Sequence, residues 1–395
     1  MKYISIQFLA LSCSISCFGQ VKEAQKPTTI AQAHEGWVDL LEKGSGKNIL
    51  KQWRNVNVAP STFSFIQDPK NLKTTVLKCT GKPTGLIRSA DVYENFMVEF
   101  EWRHMEKDGM RANAGFFIWS DALPAKAIPF SRSIEIQVAN FDRDTNWFTR
   151  HGDVFPIHGS KMTPDPRFAR WKGGQRSLPL EFRAKGTGEW NKYRILCIDG
   201  VVQLEVNGKV VSGGFHSNPR KGHLMIESEG GEVHFKNMRI LPLPSSGELK
   251  PEQIAKTMSA NKEIISLYNG VDLTGWNHSD KKAENGKSAK AQDSRLVLLK
   301  DGLTSNKIKN PEKFMLMVDW FSPKELDFCP VNIGRVGNPI KPKAGKHRLL
   351  VDLKTLEATL DGKNLSNKFS GVNNYISLKA LPKKGYYSNI LLIEK

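Results

Sequence analysis

The side chains best suited to proton transfer lie in one short stretch of the sequence, residues 133–158. The stretch opens with S-I-E-I-Q-V-A, where Glu135 and Gln137 would share one face of a β-strand and the aliphatic residues the other. Asp153 and His158 follow in the segment G-D-V-F-P-I-H. Carboxyl groups and histidine are common general acids and bases. We therefore predict Glu135, Asp153 and His158 as catalytic candidates; the alternative is a half-exposed strand with a solvated loop.

Other side chains are candidates for holding a substrate rich in hydroxyl groups. Gln137 and Asn113 can donate hydrogen bonds. Trp119 and Trp147 could stack against the apolar face of a sugar ring, with core packing as the alternative. Core packing is the prediction for five further tryptophans, which are Trp53, Trp102, Trp190, Trp276 and Trp320.

Length and charge limit the class of protein. With 395 residues, of which 39% are hydrophobic, the chain can form two domains with sizeable cores. The formal net charge of +18 suggests a nucleic-acid partner at first. The lysines and arginines are scattered over both halves, however, and no nucleic-acid-binding motif accompanies them. We therefore expect no nucleic-acid partner and interpret the charge as a general property of the surface.

The N-terminus has the pattern of an export signal. Lys2 precedes a mostly apolar segment, residues 4–15, and small side chains before Gln20 suit cleavage after residue 19. Cys13 and Cys17 leave a lipid anchor as an alternative, although neither follows a leucine at the required position. No later run reaches the roughly 20 apolar residues of a membrane span. We expect a protein that is secreted or periplasmic, at the cell envelope.

The cysteines suggest neither a disulfide framework nor a zinc site. Beyond the signal peptide they are Cys79, Cys197 and Cys329, widely spaced, and we expect mostly buried thiols. No C-x-x-C or H-E-x-x-H motif is present. No cofactor is therefore certain. A divalent metal held by Glu135, Asp153 and His158 is left open, because oxygen and nitrogen ligands could hold such an ion near a developing negative charge.

Short alternating runs separated by turn residues predict an all-β sandwich of antiparallel sheets for residues 35–244. Asp199-Gly200 and Asn207-Gly208 are strong hairpin signals. Arg194, a candidate for substrate binding, and Glu227 lie on predicted strands, but periodicity leaves open which sheet holds each one. The predicted strands are Thr75–Cys79, Phe96–Trp102, Gly115–Trp119, Ile134–Val138, Tyr193–Ile198, Val201–Val206, His223–Glu227 and Val233–Ile240.

The second half of the chain repeats the first in a shorter form. The run L-P-L-P-S-S leads into a linker, residues 245–263, which contains one short helical stretch and precedes the repeat at 264–395. The run V-Y-E-N-F-M-V-E-F-E-W-R is matched by N-P-E-K-F-M-L-M-V-D-W-F, and W-N-K-Y-R-I-L-C-I-D-G is matched by G-K-H-R-L-L-V-D-L-K-T. The repeat lacks the segment that holds the catalytic candidates. We therefore predict a smaller, related β-sandwich that serves binding or packing.

Ordered motifs along the whole first domain resemble the domain of unknown function 1080 family, also called the 3-keto-disaccharide hydrolase domain. They include N-A-G-F-F-I, I-E-I-Q, G-D-V-F-P-I-H-G-S-K-M-T-P, E-W-N-K-Y-R-I and P-R-K-G-H-L-M-I-E-S-E-G, and the second copy opens with L-Y-N-G-V-D-L-T-G-W. The resemblance implies a concanavalin-like jelly roll, secretion, and cleavage of oxidised glycosides by hydrolysis or elimination. The chain has Trp119 where the family often has arginine, which puts the substrate contact there in doubt.

The predicted chemistry depends on how many acids share a face. An ordinary glycosidase uses two carboxyl groups, but the series Glu135, Gln137, Ala139 supplies only one. Cleavage of a 3-keto sugar does not need two carboxyl groups on one face. Its carbonyl acidifies the C2 proton, so one base can form an enolate that expels the C1 oxygen. The sequence thus predicts a saccharide-cleaving enzyme. A non-catalytic carbohydrate-binding protein and an envelope scaffold are the alternatives.

Overall fold

The computed structural model describes residues 36–46, 48–105, 112–140, 151–168, 174–278, 289–300, 302–333, 335–336, 340–365, 369–370 and 374–395. Residues Trp37–Lys395 form one compact unit. The described residues form strands and two short 3-10 helices, Pro251–Gln253 and Pro311–Lys313, without an α-helix. Among these residues no helix is long and apolar enough to cross a membrane. The predicted all-β class is confirmed, whereas the predicted signal peptide lies outside the described residues.

The first part of the compact unit is a sandwich of two antiparallel sheets. Its strands are β1 (Val38–Asp39), β2 (Trp53–Asn55), β3 (Phe63–Asp68), β4 (Asn71–Cys79), β5 (Gly85–Tyr93), β6 (Asn95–His104), β7 (Asn113–Ser120), β8 (Ser133–Ala139), β9 (Val154–Ile157), β10 (Lys161–Pro164), β11 (Asn191–Ile198), β12 (Val201–Val206), β13 (Lys209–Asn218), β14 (Gly222–Ser228) and β15 (Val233–Leu243). The larger sheet has the order β10-β13-β12-β11-β6-β15-β4-β3, and β1 pairs with β15. The smaller sheet has the order β2-β5-β14-β7-β8-β9.

The predicted strands all lie within observed strands of this sandwich. The hairpin signals also form as predicted: Asn207 and Gly208, with φ of 48° and 86°, join β12 to β13. Alternate residues of both sheets meet in one core, where the rings of Phe100 on β6 and Phe116 on β7 lie 4.9 Å apart between centroids. The smaller sheet therefore has one face in this core and one face turned outward. The described cysteines are unpaired and buried, as predicted, and are Cys79, Cys197 and Cys329.

The last part of the chain is a second, smaller sandwich. Its strands are β16 (Ile264–Ser266), β17 (Trp276–His278), β18 (Ala289–Gln292), β19 (Arg295–Leu298), β20 (Leu303–Ser305), β21 (Phe314–Ser322), β22 (Val331–Asn332), β23 (Arg335–Val336), β24 (Gly345–Asp352), β25 (Ala358–Leu360), β26 (Lys363–Asn364), β27 (Phe369–Ser370), β28 (Ser377–Leu378) and β29 (Tyr386–Glu394). One sheet has the order β18-β19-β29-β21-β24-β25-β26, and β16 pairs with β29. The other has the order β17-β20-β28-β22, and β23 pairs with β27.

The two sandwiches meet on the outer face of the smaller sheet of the first. Phe117 and Met225 on that face pack against Met317 and Leu391 of the second sandwich. Buried Asp319 adds a polar contact, because it accepts the backbone N–H of Ala127 at 2.9 Å in the connection between β7 and β8. The second sandwich therefore covers part of the outer face that carries the catalytic candidates.

The segment 245–263 is an extended connection that lies along the first sandwich. Its Lys256 exchanges hydrogen bonds with Asp121 and Ala122, at 2.8 and 2.7 Å. The backbone N–H of Met258 donates to Nε2 of buried His223 at 3.1 Å. These contacts hold the connection on the first sandwich before the chain enters β16.

Candidate functional site

Three neighbouring strands of the smaller sheet carry polar side chains on its outer face. β7 lies in the middle, with β14 on one side and β8 on the other. Gly115 on β7 pairs with Gln137 on β8. On the other side Phe116 pairs with Ile226, so the next pair along the strands joins Gly115 to Glu227. One row of the sheet thus places Glu227, Gly115 and Gln137 side by side, and Glu135 lies on the same face one row away.

Gly115 leaves a space into which two carboxyl groups point. A Cβ atom at Gly115 would lie 2.8 Å from Oε2 of Glu227 and 3.2 Å from Oε1 of Glu135. Since both distances start from the same point, the two oxygen atoms are at most 6.0 Å apart, the sum of the two. Both side chains are nearly closed to solvent, with exposures of 1% for Glu227 and 7% for Glu135. The alternation of β8 correctly predicted that Glu135 leaves the core face, and the structure adds a second acid from β14.

Both carboxyl groups of this pair hold their protons more strongly than an exposed glutamate. Burial raises the pKa of Glu135 to about 8, with a further rise from the charge of Glu229. Burial also raises the pKa of Glu227 well above its ordinary value, and the charges of Glu229 and Glu135 add to that effect. Oε2 of Glu227 has no hydrogen-bond partner within the described part of the chain. At neutral pH the pair therefore favours a state that carries at least one proton.

A chain of amide hydrogen bonds leads from β8 to a third acid, Glu229. Nε2 of Gln137 donates to Oδ1 of Asn113, and Nδ2 of Asn113 donates to Oε2 of Glu229. Burial raises the pKa of Glu229, which the Asn113 amide opposes. Gln137 and Asn113 were predicted to bind substrate; in the structure these donors orient an acid of the cluster. We refer to Glu135, Glu227 and Glu229 with these two amides as the carboxyl cluster.

Asp153 lies beside the carboxyl cluster at the start of β9. The backbone N–H of Gln137 donates to the Asp153 carbonyl at 2.9 Å, which extends the pairing of β8 with β9 by one residue. The Asp153 carboxylate is fully buried and binds Arg176 at 2.8 Å. The Arg176 guanidinium also stacks on the Phe155 ring, 3.4 Å from its centroid. Its charge lowers the pKa of Glu135 whereas that of Asp153 raises it, so both groups lie within electrostatic reach of the cluster.

His158 lies away from the carboxyl cluster. Phe155 pairs with Glu135, and His158 is three residues further along, which is ~10 Å on a strand. Its ring stacks on that of Phe130, at 6.2 Å between centroids. Burial lowers its pKa, and the charge of Lys346 in the second sandwich lowers it further. The structure therefore joins Glu135 to Asp153, as predicted, but separates both from His158.

Two predicted substrate contacts take other positions. Trp119 is fully buried, and its indole N–H donates to the Glu94 carbonyl at 2.8 Å, so its ring belongs to the core and cannot stack on a sugar. Its φ of 53° accounts for the turn of the ring away from the outer face. Arg194 lies on β11 in the larger sheet and binds Glu99 at 3.2 Å. Trp147 lies outside the described residues.

Sequence reasoning missed Glu229 and Arg176 and did not place Glu227. Glu229 lies two residues after Glu227, and this spacing is the signal in the sequence for a shared face. Arg176 lies in a connection between strands, where no alternation of side chains indicates the direction in which its side chain points. For a metal, the described residues contain no group of three or more histidine, cysteine, aspartate or glutamate side chains arranged to hold one. Glu135, Asp153 and His158 do not form a set of metal ligands, because His158 is remote from the other two.

Comparison with known proteins identifies the family. A family model described as the 3-keto-alpha-glucoside-1,2-lyase-like domain matches residues 36–241, which is more than half of the chain. The chain belongs to this family. The 3-keto-alpha-glucoside-1,2-lyase-like domain spans both sheets of the first sandwich and contains the whole carboxyl cluster. Membership supports a carbohydrate-active role for the chain.

The solved structures that match the chain cover about half of it. A crystal structure from Parabacteroides distasonis ATCC 8503, described as a candidate glycosyl hydrolase, has 19% identity and a TM-score of 0.38, and the match covers 55% of this chain and 98% of that one. A second structure of the same description and organism has 20% identity, a TM-score of 0.37 and coverages of 52% and 99%. A carbohydrate-binding module from Bacillus subtilis has 12% identity, a TM-score of 0.30 and coverages of 47% and 93%. No curated protein sequence matches the chain.

Proposed function

We propose that the first sandwich cleaves the glycosidic bond of 3-keto-glycosides. The observation that carries this proposal is the pairing of Glu135 with Glu227 across Gly115, at most 6.0 Å apart. Such a pair titrates as a unit, so one carboxyl group can be ionised while the other holds a proton. Membership of the 3-keto-alpha-glucoside-1,2-lyase-like family supports the substrate class.

The proposed reaction is an elimination across the C1–C2 bond of the oxidised sugar. The ionised carboxylate removes the C2 proton, whose acidity comes from the carbonyl at C3, and the electron pair forms an enolate. The enolate then re-forms the C3 carbonyl, makes a C1–C2 double bond and expels the glycosidic oxygen. The protonated carboxyl group gives its proton to that oxygen. Since the C2 hydrogen and the C1 oxygen are attached to adjacent atoms, two carboxyl groups this close can serve both.

In this proposal two positively polarised groups stabilise the negative charge at O3 of the enolate. Arg176 lies within electrostatic reach of Glu135 and is oriented by Asp153 and the Phe155 ring. A protonated carboxyl group can also donate a hydrogen bond to an enolate oxygen. Hydrolysis differs by one later step, because addition of water to C1 of the unsaturated product gives the free 3-keto sugar. The same residues therefore support either outcome.

Double displacement on an unoxidised glycoside is a second candidate. The sequence offered a single acid on β8, which argued against this mechanism, but the structure brings Glu227 from β14 to the same face. The upper limit of 6.0 Å includes the separation of about 5–5.5 Å between the two carboxyl groups of retaining glycosidases. The two candidates differ in whether the substrate must carry a ketone at C3.

The test follows release of p-nitrophenol from p-nitrophenyl 3-keto-glucosides of both anomers and from the unoxidised parents. We expect release from a keto sugar only, with a primary isotope effect when C2 carries deuterium. Glu135→Gln should lower the rate at least ~100-fold, whereas the matched control Glu101→Gln, on the larger sheet, should leave it unchanged. Release from the parents without an isotope effect would favour double displacement. Saccharide binding without release would favour a lectin-like protein.

We further propose that the second sandwich is a degenerate copy of the first, with domains at 35–244 and 264–395 joined by the linker 245–263. The strand orders support this, since β12-β11-β6-β15-β4 with β1 on β15 corresponds to β25-β24-β21-β29-β19 with β16 on β29. Equivalent tryptophans also make equivalent hydrogen bonds: the indole N–H of Trp53 donates to the Leu40 carbonyl and that of Trp276 to the Leu267 carbonyl.

Export to the periplasm or cell envelope, proposed from residues 1–19, is tested by sequencing the mature N-terminus.

A further inference from the structure

An acid of the second sandwich is bound to the first sandwich beside the carboxyl cluster. Asp293 lies in the turn between β18 and β19. Its Oδ1 accepts the backbone N–H of Thr84 at 2.6 Å, and its Oδ2 accepts the Thr84 hydroxyl at 2.7 Å. Two hydrogen bonds to one residue fix the orientation of a carboxylate that would otherwise rotate freely. Each oxygen retains a further lone pair that can accept a hydrogen bond.

Thr84 is the residue next to Glu229 across the sheet. Gly85 on β5 pairs with Ser228 on β14, so one step outward Thr84 lies beside Glu229. The charge of Asp293 accordingly adds to burial in raising the pKa of Glu229. The other groups that face Glu229 are Asn113, which donates to it, and the other carboxyl groups of the cluster. The acid of the second sandwich is thus an immediate electrostatic neighbour of the cluster.

The exposure of the side chains increases across the carboxyl cluster towards Asp293. Glu227 and Gln137 are each 1% exposed, Glu229 and Asn113 are half-buried, and Asp293 is exposed. Within the described residues, the cluster therefore reaches solvent on the side where Asp293 lies. The buried Oε2 of Glu227, which has no partner within the described residues, shows that the cluster is not closed by its own hydrogen bonds.

We propose that Asp293 is a substrate-binding residue that the second sandwich contributes to the first. Its carboxylate accepts a hydrogen bond from a hydroxyl group of the saccharide that occupies the carboxyl cluster. The inference rests on the proposed function for the presence of a saccharide there. It assigns a role to a domain that lacks the catalytic candidates: the second sandwich completes the binding site. A carboxylate held by Thr84 can discriminate between sugars that do and do not present a hydroxyl at that position.

The test compares the wild-type protein, Asp293→Ala, Asp293→Asn and the control Asp327→Asn, whose carboxylate is an exposed one elsewhere on the second sandwich. On p-nitrophenyl 3-keto-glucoside, we expect Asp293→Ala to raise KM about 10-fold or more while kcat stays within about 3-fold. Asp293→Asn should raise KM less, because its amide oxygen still accepts from the Thr84 N–H. Asp327→Asn should match the wild type. Equal KM values for all four proteins would overturn the proposal, as would a loss of kcat with KM unchanged, the result expected of a purely structural anchor.

Thermal unfolding measurements check that each variant is folded. If Asp293→Ala does not fold, Asp293→Asn takes its place in the comparison of KM values. If the wild type releases no p-nitrophenol, the proposed function fails, and calorimetric titration with the same glucoside still decides the inference. Binding by the wild type that Asp293→Asn weakens would support it. Equal binding by both proteins, or none by the wild type, would overturn it.

Discussion

Glu135 and Glu227 approach the same space above Gly115 from the two strands that flank β7. Neither strand alone carries this pair, because Glu135 has Gln137 as its neighbour on the face of β8 and Glu227 has Met225 on that of β14. Glycine between them is a structural requirement: any side chain there would occupy the space where the carboxyl oxygens lie. The sheet thus forms an acid and base pair from residues about ninety positions apart in the chain.

The rate of cleavage should rise as the pH rises through about 8. The pKa of Glu135 is raised to about 8, and the charge of ionised Glu135 adds to the rise in the pKa of Glu227. Glu135 is therefore the first of the pair to lose its proton, and a base works only after it has lost the proton. A profile of kcat/KM against pH for the wild type measures this limb. A rate that instead falls through pH 8 would assign Glu135 as the proton donor of the pair.

Glu227→Gln should stabilise the protein at alkaline pH. The folded-state pKa of Glu227 is raised above its ordinary value of 4.5, so the stability it contributes is complete below 4.5 and is lost as the pH rises through the folded-state value. Glutamine carries no charge at any pH. We expect a gain in the free energy of unfolding on the order of 1–3 kcal/mol at pH 8 and little change at pH 4. Urea unfolding at both values tests this, and an equal effect at the two would contradict it.

Gly115→Ala should inactivate the protein through the carboxyl pair. The added Cβ would lie 2.6 Å from a ring carbon of Phe117 and 2.8 Å from Oε2 of Glu227, closer than side chains can approach. Overpacking of this kind costs about 1–3 kcal/mol, and displacement of the carboxyl groups should lower kcat more than stability alone would suggest. Gly186→Ala is the control, since its Cβ would meet no atom within 4 Å. Activity that survives in Gly115→Ala would show that the space between the acids is not needed.

Asp153→Asn should shift the pH profile and lower the stability of the protein, whereas His158→Ala should change kcat little. Removal of the Asp153 charge leaves Arg176 without its carboxylate and deletes a charge that raises the pKa of Glu135. The rise in kcat/KM near pH 8 should therefore move to lower pH, with a loss of stability of about 3–5 kcal/mol for the broken buried pair. His158→Ala should change kcat less than ~3-fold, since the ring packs on Phe130 away from the cluster. A large loss of kcat in His158→Ala, with an unmoved limb in Asp153→Asn, would contradict the geometry of the site.

The left-handed backbone at Trp119 shows where local pattern stops being sufficient. Strict alternation along β7 would place Trp119 on the outer face with Phe117. The pairing of β14 with β7 shifts register between His223 and Met225, and with φ of 53° the Trp119 ring joins the core instead. A sequence pattern does not reveal such an irregularity, because its cause is the pairing partner and not the strand itself.

The sequence by itself determined the local features: the all-β class, the strand positions, the glycine-containing hairpins and the outward direction of Glu135. These follow from side-chain alternation and turn chemistry, which act over a few residues. Only the tertiary structure decided that Glu227 joins Glu135 while Arg194 lies on the other sheet, and that His158 is remote. The physical reason is that strand order and register bring distant segments together, and burial among those segments sets the pKa values on which the proposed chemistry depends.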